Sequence, residues 1–205
     1  FKDLATGALR LASGSQDKKV RIFDPVAGGE ALVVLEGHAY TVRALTAFTD
    51  PATGEPRLVS AAEDDVRVWN PAASGAAIEA EPEGHSEDVN ALVTFVDPAT
   101  GALRVATAGG YPDETIRVWD AETGGALLVI DVGSSVDALT FFVDPATGAP
   151  RLACGVNIAD SDSDSDSGPS GEVRVFNPVT GGEALLVFDA GDVVYALVFF
   201  ADPAT

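Results

Sequence analysis

Hydrophobic and polar residues alternate in short runs along this chain, and each run has the length of a β-strand. Apolar runs of the form Val-x-Ala-Leu begin at Val42, Val89, Val136 and Val194. Runs of the form Val/Ile-Arg-Val/Ile-Trp/Phe begin at Val20, Val66, Ile116 and Val173. Because alternation with a period of two is typical of half-buried strands, and Gly-rich or Pro-rich turns bound the runs, the pattern predicts an all-β chain.

One turn sequence recurs at a constant step. Asp-Pro-Ala-Thr-Gly occupies residues 50–54, 97–101 and 144–148, and a looser copy occupies residues 3–7. The glycines at 7, 54, 101 and 148 are each 47 residues apart (54−7, 101−54, 148−101). In such a turn the Asp side chain accepts from backbone amides, Pro presets φ and Gly takes a left-handed conformation, so each copy joins two strands.

Each period contains four predicted strands. A Val-x-Ala-Leu run precedes the turn and a second apolar run, such as the one around Leu58, follows it. The Arg-containing run comes third, and a Gly-Gly or Ser-Gly turn leads into a fourth strand such as 126–130. One thin sheet of this kind cannot bury both faces. The repeat therefore predicts β-propeller blades that stack around an axis.

The sequence resembles the WD-repeat family over its whole length. The residues that carry the resemblance are Gly37-His38, Gly84-His85, Trp69-Asn70 and Trp119-Asp120. In that family a His, a strand Ser or Thr, a turn Asp and the Trp form a hydrogen-bonded tetrad inside each blade. The resemblance implies one full tetrad, made of His85, Thr107, Asp113 and Trp119. It implies a second with His38, Ser60 and Trp69, in which the acid is either Asp64 or Asp65.

The other two repeats lack part of the tetrad. The first offers Ser13 and Asp17, but it has Phe23 for Trp and Asp192 in the place of His. The fourth offers Ser134, Cys154 and Phe176 in the places of His, Ser and Trp. Because both histidines have structural roles in this scheme, we expect no metal site at them and no cofactor.

The repeat divides the chain into four blades within a single propeller domain, 1–205. They span residues 1–36, completed by a strand from 193–200, and then 38–81, 85–131 and 134–189. In strand-exchange closure the C-terminal strand would seal the first blade. Four blades are few for a closed ring, so we expect two chains to form an eight-bladed ring as a homodimer. A monomeric four-bladed ring is one alternative, and half of a longer chain is the other. The absence of Met indicates a piece of a longer product.

The variable position of Val-x-Ala-Leu is the candidate partner-binding site. Arg43, Asn90, Asp137 and Tyr195 occupy it, and innermost strands of a propeller line the channel. We add Tyr40 and Tyr111 from loops on the same rim, because exposed tyrosines anchor interfaces. Ordinary sequence drift would explain the same diversity. The prediction is a non-catalytic scaffold that binds a protein or peptide at the channel mouth; a structural or engineered repeat protein without a partner is the alternative.

Charge and composition narrow the class of partner. A net charge of −20 disfavours nucleic acids and anionic membranes and favours a basic peptide or protein. Cys154 is the one cysteine, so no internal disulfide can form, which suits the cytoplasm or the nucleus. No nucleophile with a base and an oxyanion donor can be assembled, so we predict no enzyme. A carboxylate pair at the mouth, Asp137 with Asp192, is the one catalytic alternative.

An acidic Asp/Ser insertion at residues 159–171 lengthens the fourth repeat. A polar tract of like charge cannot bury itself, so it is predicted to be a solvated loop. Its serines make it a candidate phosphorylated docking segment. A third possibility is a calcium loop using Asp162, Asp164 and Asp166, although Gly168 comes one residue too late for an EF-hand turn.

Overall fold

Every regular element in the described part of the chain is a β-strand. The computed structural model describes residues 1–4, 6–51, 53–63, 65–71, 78–79, 84–158 and 170–200. The strands are β1 (Leu11–Gly14), β2 (Val20–Phe23), β3 (Val33–Leu35), β4 (Ala44–Thr49), β5 (Pro56–Ala61), β6 (Val66–Trp69), β7 (Ile78–Glu79), β8 (Val89–Val96), β9 (Leu103–Gly109), β10 (Thr115–Asp120), β11 (Ala126–Asp131), β12 (Ser135–Val143), β13 (Pro150–Ile158), β14 (Ser170–Phe176) and β15 (Leu186–Asp189).

The strands form four antiparallel sheets in chain order. The first sheet is β1-β2-β3, the second β4-β5-β6-β7, the third β8-β9-β10-β11 and the fourth β12-β13-β14-β15. The all-β, propeller-like arrangement expected from the repeat is therefore present. The first sheet has three strands and not the predicted four, because residues 193–200 form no strand and pair with no strand of that sheet. Strand-exchange closure within one chain is not observed.

The repeated turn has the geometry that its residue types require. Asp97 accepts the amide of Ala99 through Oδ1 at 2.9 Å and the hydroxyl of Thr100 through Oδ2 at 2.9 Å. The amide of Gly101 donates to the Asp97 carbonyl at 2.8 Å, and Gly101 has a φ of 70°. These hydrogen bonds, that from Ala99 foremost, lower the pKa of Asp97. The turn thus fixes the length and register of the hairpin from β8 to β9.

The sheets stack in sequence order through three hydrophobic clusters. Trp69 and Leu58 of the second sheet pack with Val20 and Ile22 of the first. Trp119 and Val105 of the third sheet pack with residues of the second, such as Val68. The largest cluster joins the third and fourth sheets. Most of the buried apolar residues therefore belong to clusters that join neighbouring sheets, as expected for sheets too thin to be stable alone.

The stack is open between its first and fourth sheets. The inner strands β4, β8 and β12 contact one another in that order, and β4 also contacts β1 of the first sheet. No hydrophobic cluster of the described residues joins the first sheet to the fourth. Within the described residues the first and fourth sheets therefore do not close on each other, and we call the four stacked sheets an arc.

Candidate functional site

A chain of hydrogen bonds joins His85 to three other side chains of the third sheet. The indole N–H of Trp119 donates to Thr107 Oγ1 at 2.8 Å. Thr107 Oγ1 lies 2.7 Å from His85 Nε2, and His85 Nδ1 lies 2.7 Å from Asp113 Oδ1. His85, Thr107 and Trp119 are all buried. The structure thus brings together all four residues that the resemblance implies.

The electrostatics of this network assign the direction of each hydrogen bond. Burial lowers the pKa of His85 in spite of the nearby carboxylate, so the ring is neutral at pH 7. Burial opposes the ionisation of Asp113, but hydrogen bonds from Thr115 and His85 outweigh it and hold the pKa well below its usual value. His85 therefore donates from Nδ1 to an ionised carboxylate and accepts the Thr107 hydroxyl at Nε2.

The second sheet contains the same network with a different acid. The indole N–H of Trp69 donates to Ser60 Oγ at 2.7 Å, and Ser60 Oγ lies 2.5 Å from His38 Nε2. His38 Nδ1 contacts Asp65, which also accepts from Arg67 Nε at 2.5 Å. Of the two acids left open by the sequence, Asp65 makes this contact, and Asp64 lies outside the described residues. Burial opposes ionisation of Asp65, yet hydrogen bonds from His38 and Arg67 lower its pKa.

The first and fourth sheets contain other side chains at these positions. Asp17 pairs with Arg21 at 2.5 Å and not with a histidine, and the hydrogen bond from Arg21 lowers the pKa of Asp17 to about 2. Cys154 occupies the position of Thr107, since each pairs with the Leu of its own inner strand. Burial raises the pKa of the Cys154 thiol to about 12. A thiol with so high a pKa is a packing group and not a nucleophile.

Three of the four variable inner-strand positions lie on a belt of polar contacts between sheets. Arg43 forms an ion pair with Asp88, which precedes the third sheet. Asn90 donates from Nδ2 to Asp137 Oδ1 at 2.6 Å, so the third sheet is tied to the fourth. Asn157 donates to the other oxygen of Asp137. Arg43, Asn90 and Asp137 are therefore engaged with neighbours at the rim, and both oxygens of Asp137 are occupied.

Sequence reasoning missed Asp88 and Asn157, the partners of these side chains. Each stands next to a strand end and belongs to no repeated motif, so the sequence carries no signal for it. The sequence offers Asp137 for a carboxylate pair with Asp192, but the described hydrogen bonds of Asp137 come from Asn90, Asn157 and Ser135. Asp192 is exposed. Nothing in this geometry singles the pair out for acid-base chemistry.

All three tyrosines of the chain are exposed. Tyr111 is 78% exposed and Tyr195 is 77% exposed, whereas Tyr40 is 43% exposed with the Lys18 ammonium 5.9 Å from its ring centroid. Tyr111 follows Gly110, whose amide donates to the carbonyl of Asp88 at 3.0 Å. This contact fixes the Tyr111 loop beside the polar belt.

A cavity of about 500 Å³ lies at the opposite edge, between the second and third sheets. Phe48, Val68 and Leu103 are among its lining residues. Its two cations are already paired, since Arg104 lies 2.5 Å from Asp120 and Arg57 lies 2.8 Å from Glu55. No sequence pattern indicates this cavity, because its walls come from two separate repeats.

Two further features bear on candidate chemistry. Within the described ranges, no three His, Cys, Asp or Glu side chains cluster as a metal ion would need. No helix long and apolar enough to cross a membrane occurs in the part of the chain that the structure describes. Residues 159–169 of the Asp/Ser insertion, which include Asp162, Asp164 and Asp166, lie outside the described residues.

Comparison with known proteins identifies the fold. No family model matches the chain, and no curated protein matches it. Chains of solved structures do match, 548 in number, so the arrangement of sheets is widespread. One is a chain in the crystal structure of a mitotic checkpoint complex, with 21% identity and a TM-score of 0.63. The match covers 91% of this chain but only 51% of that chain, so this sequence spans about half its length. What they share is an all-β, propeller-like fold of stacked antiparallel sheets, and this fold alone assigns no activity.

Proposed function

We propose that this chain is a non-catalytic scaffold that binds a protein or peptide partner at the rim of its inner strands. The observation that carries the proposal is the presentation of Tyr111 and Tyr195, each more than three-quarters exposed, beside inner strands held by buried networks and an inter-sheet belt. Tyrosine combines a large contact area with few rotatable bonds, so rigidly placed tyrosines are efficient anchors.

The two histidines and the cysteine all have structural roles inside the fold, which supports a function without catalysis. His38 and His85 are buried and bonded at both ring nitrogens, so neither is free to exchange a proton with a substrate. Cys154 is fully buried and its high pKa keeps it a thiol. Each of these groups has a structural partner or a packing role inside its sheet.

The charge of the chain supports a basic partner. Two rim cations are held in ion pairs, Arg21 with Asp17 at 2.5 Å and Arg43 with Asp88. The chain has 32 acidic and 12 basic residues, so a surplus of carboxylates remains. A Lys-rich or Arg-rich segment would be attracted to such a surface, and added salt would weaken its binding. We propose the cytoplasm or the nucleus as the compartment.

Two other roles are possible for this chain. The first is a structural repeat protein without a partner, which would use the same buried networks and leave the tyrosines unoccupied. The second is calcium binding or phosphorylation of the Asp/Ser insertion, which concerns residues 159–169, outside the described residues.

For the open ends of the arc we propose a second copy of the chain as the partner, which gives an eight-bladed ring with two-fold symmetry.

Fluorescence anisotropy with labelled peptides tests binding at the rim. Lys/Arg-rich, neutral and Asp/Glu-rich peptides of equal length are titrated with the protein at low and at high salt. We expect the basic peptide to bind most tightly, more weakly as salt increases. Tyr111→Ala combined with Tyr40→Ala should raise Kd by about tenfold or more, the effect of losing an anchor.

Val26→Ala is the matched control, because Val26 is 83% exposed in the turn that leaves the far end of β2. It should leave Kd unchanged. An equal loss of affinity in the control would place binding away from the rim. No saturable binding by any peptide, at either salt concentration, would favour the structural repeat protein without a partner.

A further inference from the structure

The C-terminal segment 192–200 lies on the fourth sheet as an inner strand lies on the sheet before it. In two earlier steps of the stack, the first Val of the inner strand donates its amide to the end of the preceding sheet. Val42 donates to the carbonyl of Ser15 at 3.1 Å, and Val89 donates to that of Ala62 at 3.4 Å. The amide of Val194 donates to the side-chain Oδ1 of Asn157 at 2.8 Å, near the end of β13. Val194 thus contacts the corresponding end of the fourth sheet, through a side-chain oxygen in place of a carbonyl.

A close contact between a glycine and a valine also occurs both at an earlier inner strand and at the C-terminal segment. A Cβ on Gly14 would lie 2.5 Å from Cγ1 of Val42, and a Cβ on Gly155 would lie 2.5 Å from Cγ1 of Val194. Only glycine allows either valine to approach its sheet so closely. The ring of Phe199 also stacks on Phe142, with centroids 4.6 Å apart. Residues 194–199 therefore occupy the inner-strand position of a fifth sheet.

The fourth sheet exposes the face that would cover a fifth. Leu35, Ile130 and Phe188 occupy equivalent positions, because each pairs with the residue that opens the Val/Ile-Arg repeat. Leu35 and Ile130 are 3% and 2% exposed under the next sheet, but Phe188 is 52% exposed. A large apolar side chain at a core position is thus left uncovered at this end of the arc.

The first sheet exposes the complementary face. Leu11, Leu58 and Leu152 are equivalent, since each pairs with the aromatic residue that ends the Arg-containing run. Leu58 and Leu152 are 1% and 0% exposed, but Leu11 is 55% exposed. The first sheet also lacks its inner strand, so the edge of β1 is open. The first sheet therefore lacks an inner strand, and the segment 194–199 at the other end of the arc has the position of one.

We propose that the segment 194–199 of one chain is the missing inner strand of the first sheet of a second copy, and that the two copies do this reciprocally. The register follows from the pairing of β4 with β5, in which Leu45 faces Ser60 and Ala47 faces Leu58. Shifted to the equivalent positions, Leu197 faces Ser13 of the second copy and Phe199 faces Leu11 of the second copy.

Phe1 defines where this strand stops. The amide of Arg10 donates to the carbonyl of Phe1 at 2.8 Å, so Phe1 already occupies the next position along β1. The inner strand is therefore composite: it runs to Phe199 of one copy and continues at Phe1 of the other. This pairing rests on the proposed eight-bladed ring and assigns its contacts. Its added main-chain pairing is a form of β-strand addition.

Disulfide trapping tests the register in a Cys154→Val background. Leu197→Cys and Ser13→Cys are introduced in separate chains, mixed and oxidised, so that only a contact between copies can join them. We expect a cross-linked species in the mixture, none in either chain alone, and a mass of twice 21.0 kDa by light scattering. Ala12→Cys replaces Ser13→Cys in the control, because its side chain points to the other face of the strand.

Each other outcome overturns the pairing in a distinguishable way. A mass of 21.0 kDa without cross-links means that the chains do not associate, and peptide binding at the rim is then judged separately. A two-chain particle that cross-links through Ala12→Cys, or not at all, refutes the register but not the ring. A series of larger species refutes two-fold closure. With both cysteines in one chain, a cross-link that leaves the monomer mass shows closure onto its own first sheet.

Gly155→Ala probes the same contact without added cysteines. The new methyl group would lie 2.5 Å from Val194 and displace the segment, so we expect the dimer Kd to rise by about tenfold or more. Gly125→Ala is the control, because its methyl would meet nothing closer than 3.4 Å. Circular dichroism should show that both variants are folded. An unchanged Kd in folded Gly155→Ala would contradict the proposed seat of Val194.

Discussion

Thr107 lies at the centre of the hydrogen-bond network in the third sheet, so removing its hydroxyl tests how much that network stabilises the fold. Thr107→Val has nearly the same shape but neither accepts from Trp119 nor donates to His85. Both bonds lie in a buried region, at 2.8 Å and 2.7 Å. The variant leaves the indole N–H and the imidazole Nε2 without their partners in a place that water does not reach.

A buried polar group that loses its partner costs about 1–3 kcal/mol, and two such groups are left here. The expected destabilisation by Thr107→Val is therefore about 2–6 kcal/mol, a large part of the stability of an ordinary domain. Cys154→Val is the matched control. It replaces a side chain of similar size at the equivalent position of the fourth sheet, where no hydroxyl is present. The difference between the two variants isolates the hydrogen bonds from the change in packing.

Urea denaturation at pH 7.5 measures both variants. Circular dichroism reports the sheets, and fluorescence reports Trp69 and Trp119, the only two tryptophans. Thr107→Val should shift the midpoint to lower urea, whereas Cys154→Val should lie close to the unmodified protein. If the two variants differ by less than about 0.5 kcal/mol, an amount typical of neutral surface changes, the network does not hold the sheet together.

Two further predictions concern pH and the repeated turn. Burial keeps folded His85 neutral, while in the unfolded chain it takes up a proton below its ordinary pKa of 6.5, so the free energy of unfolding should fall as the pH decreases below 6.5. The slope of the unfolding free energy against pH should approach about 1.4 kcal/mol per pH unit. Urea denaturation at pH 7.5, 6.5 and 5.5 measures this slope. A free energy that does not change with pH would contradict the assignment of a neutral His85 ring. Asp97→Ala removes two hydrogen bonds at 2.9 Å from a turn in which Asp97 itself is buried, and it should cost about 2 kcal/mol in urea denaturation. Asp144→Ala, at the less buried equivalent position, should cost less, and equal effects would show that burial of this aspartate is irrelevant.

Local chemistry made much of the fold predictable from the sequence. The Asp-Pro-Ala-Thr-Gly turn needs only the hydrogen-bonding of Asp and the left-handed freedom of Gly, both properties of the residues themselves. Alternation with a period of two predicts strands because a strand sends successive side chains to opposite faces. The repeat then implies several equal sheets. These features depend on neighbours within one repeat, so the sequence alone determined them.

Contacts between repeats were decided only by the tertiary structure. The choice of Asp65 as the partner of His38 depends on how one turn folds over the sheet edge, and the bonds of Asp137 to Asn90 and Asn157 join residues from three separate strands. The tertiary structure also decided the position of the segment 192–200. Its sequence matches an inner strand but does not indicate which sheet the segment packs on. It lies on the fourth sheet through the contacts of Val194 with Asn157 and of Phe199 with Phe142. Such contacts depend on how whole sheets pack face to face, which no single repeat specifies.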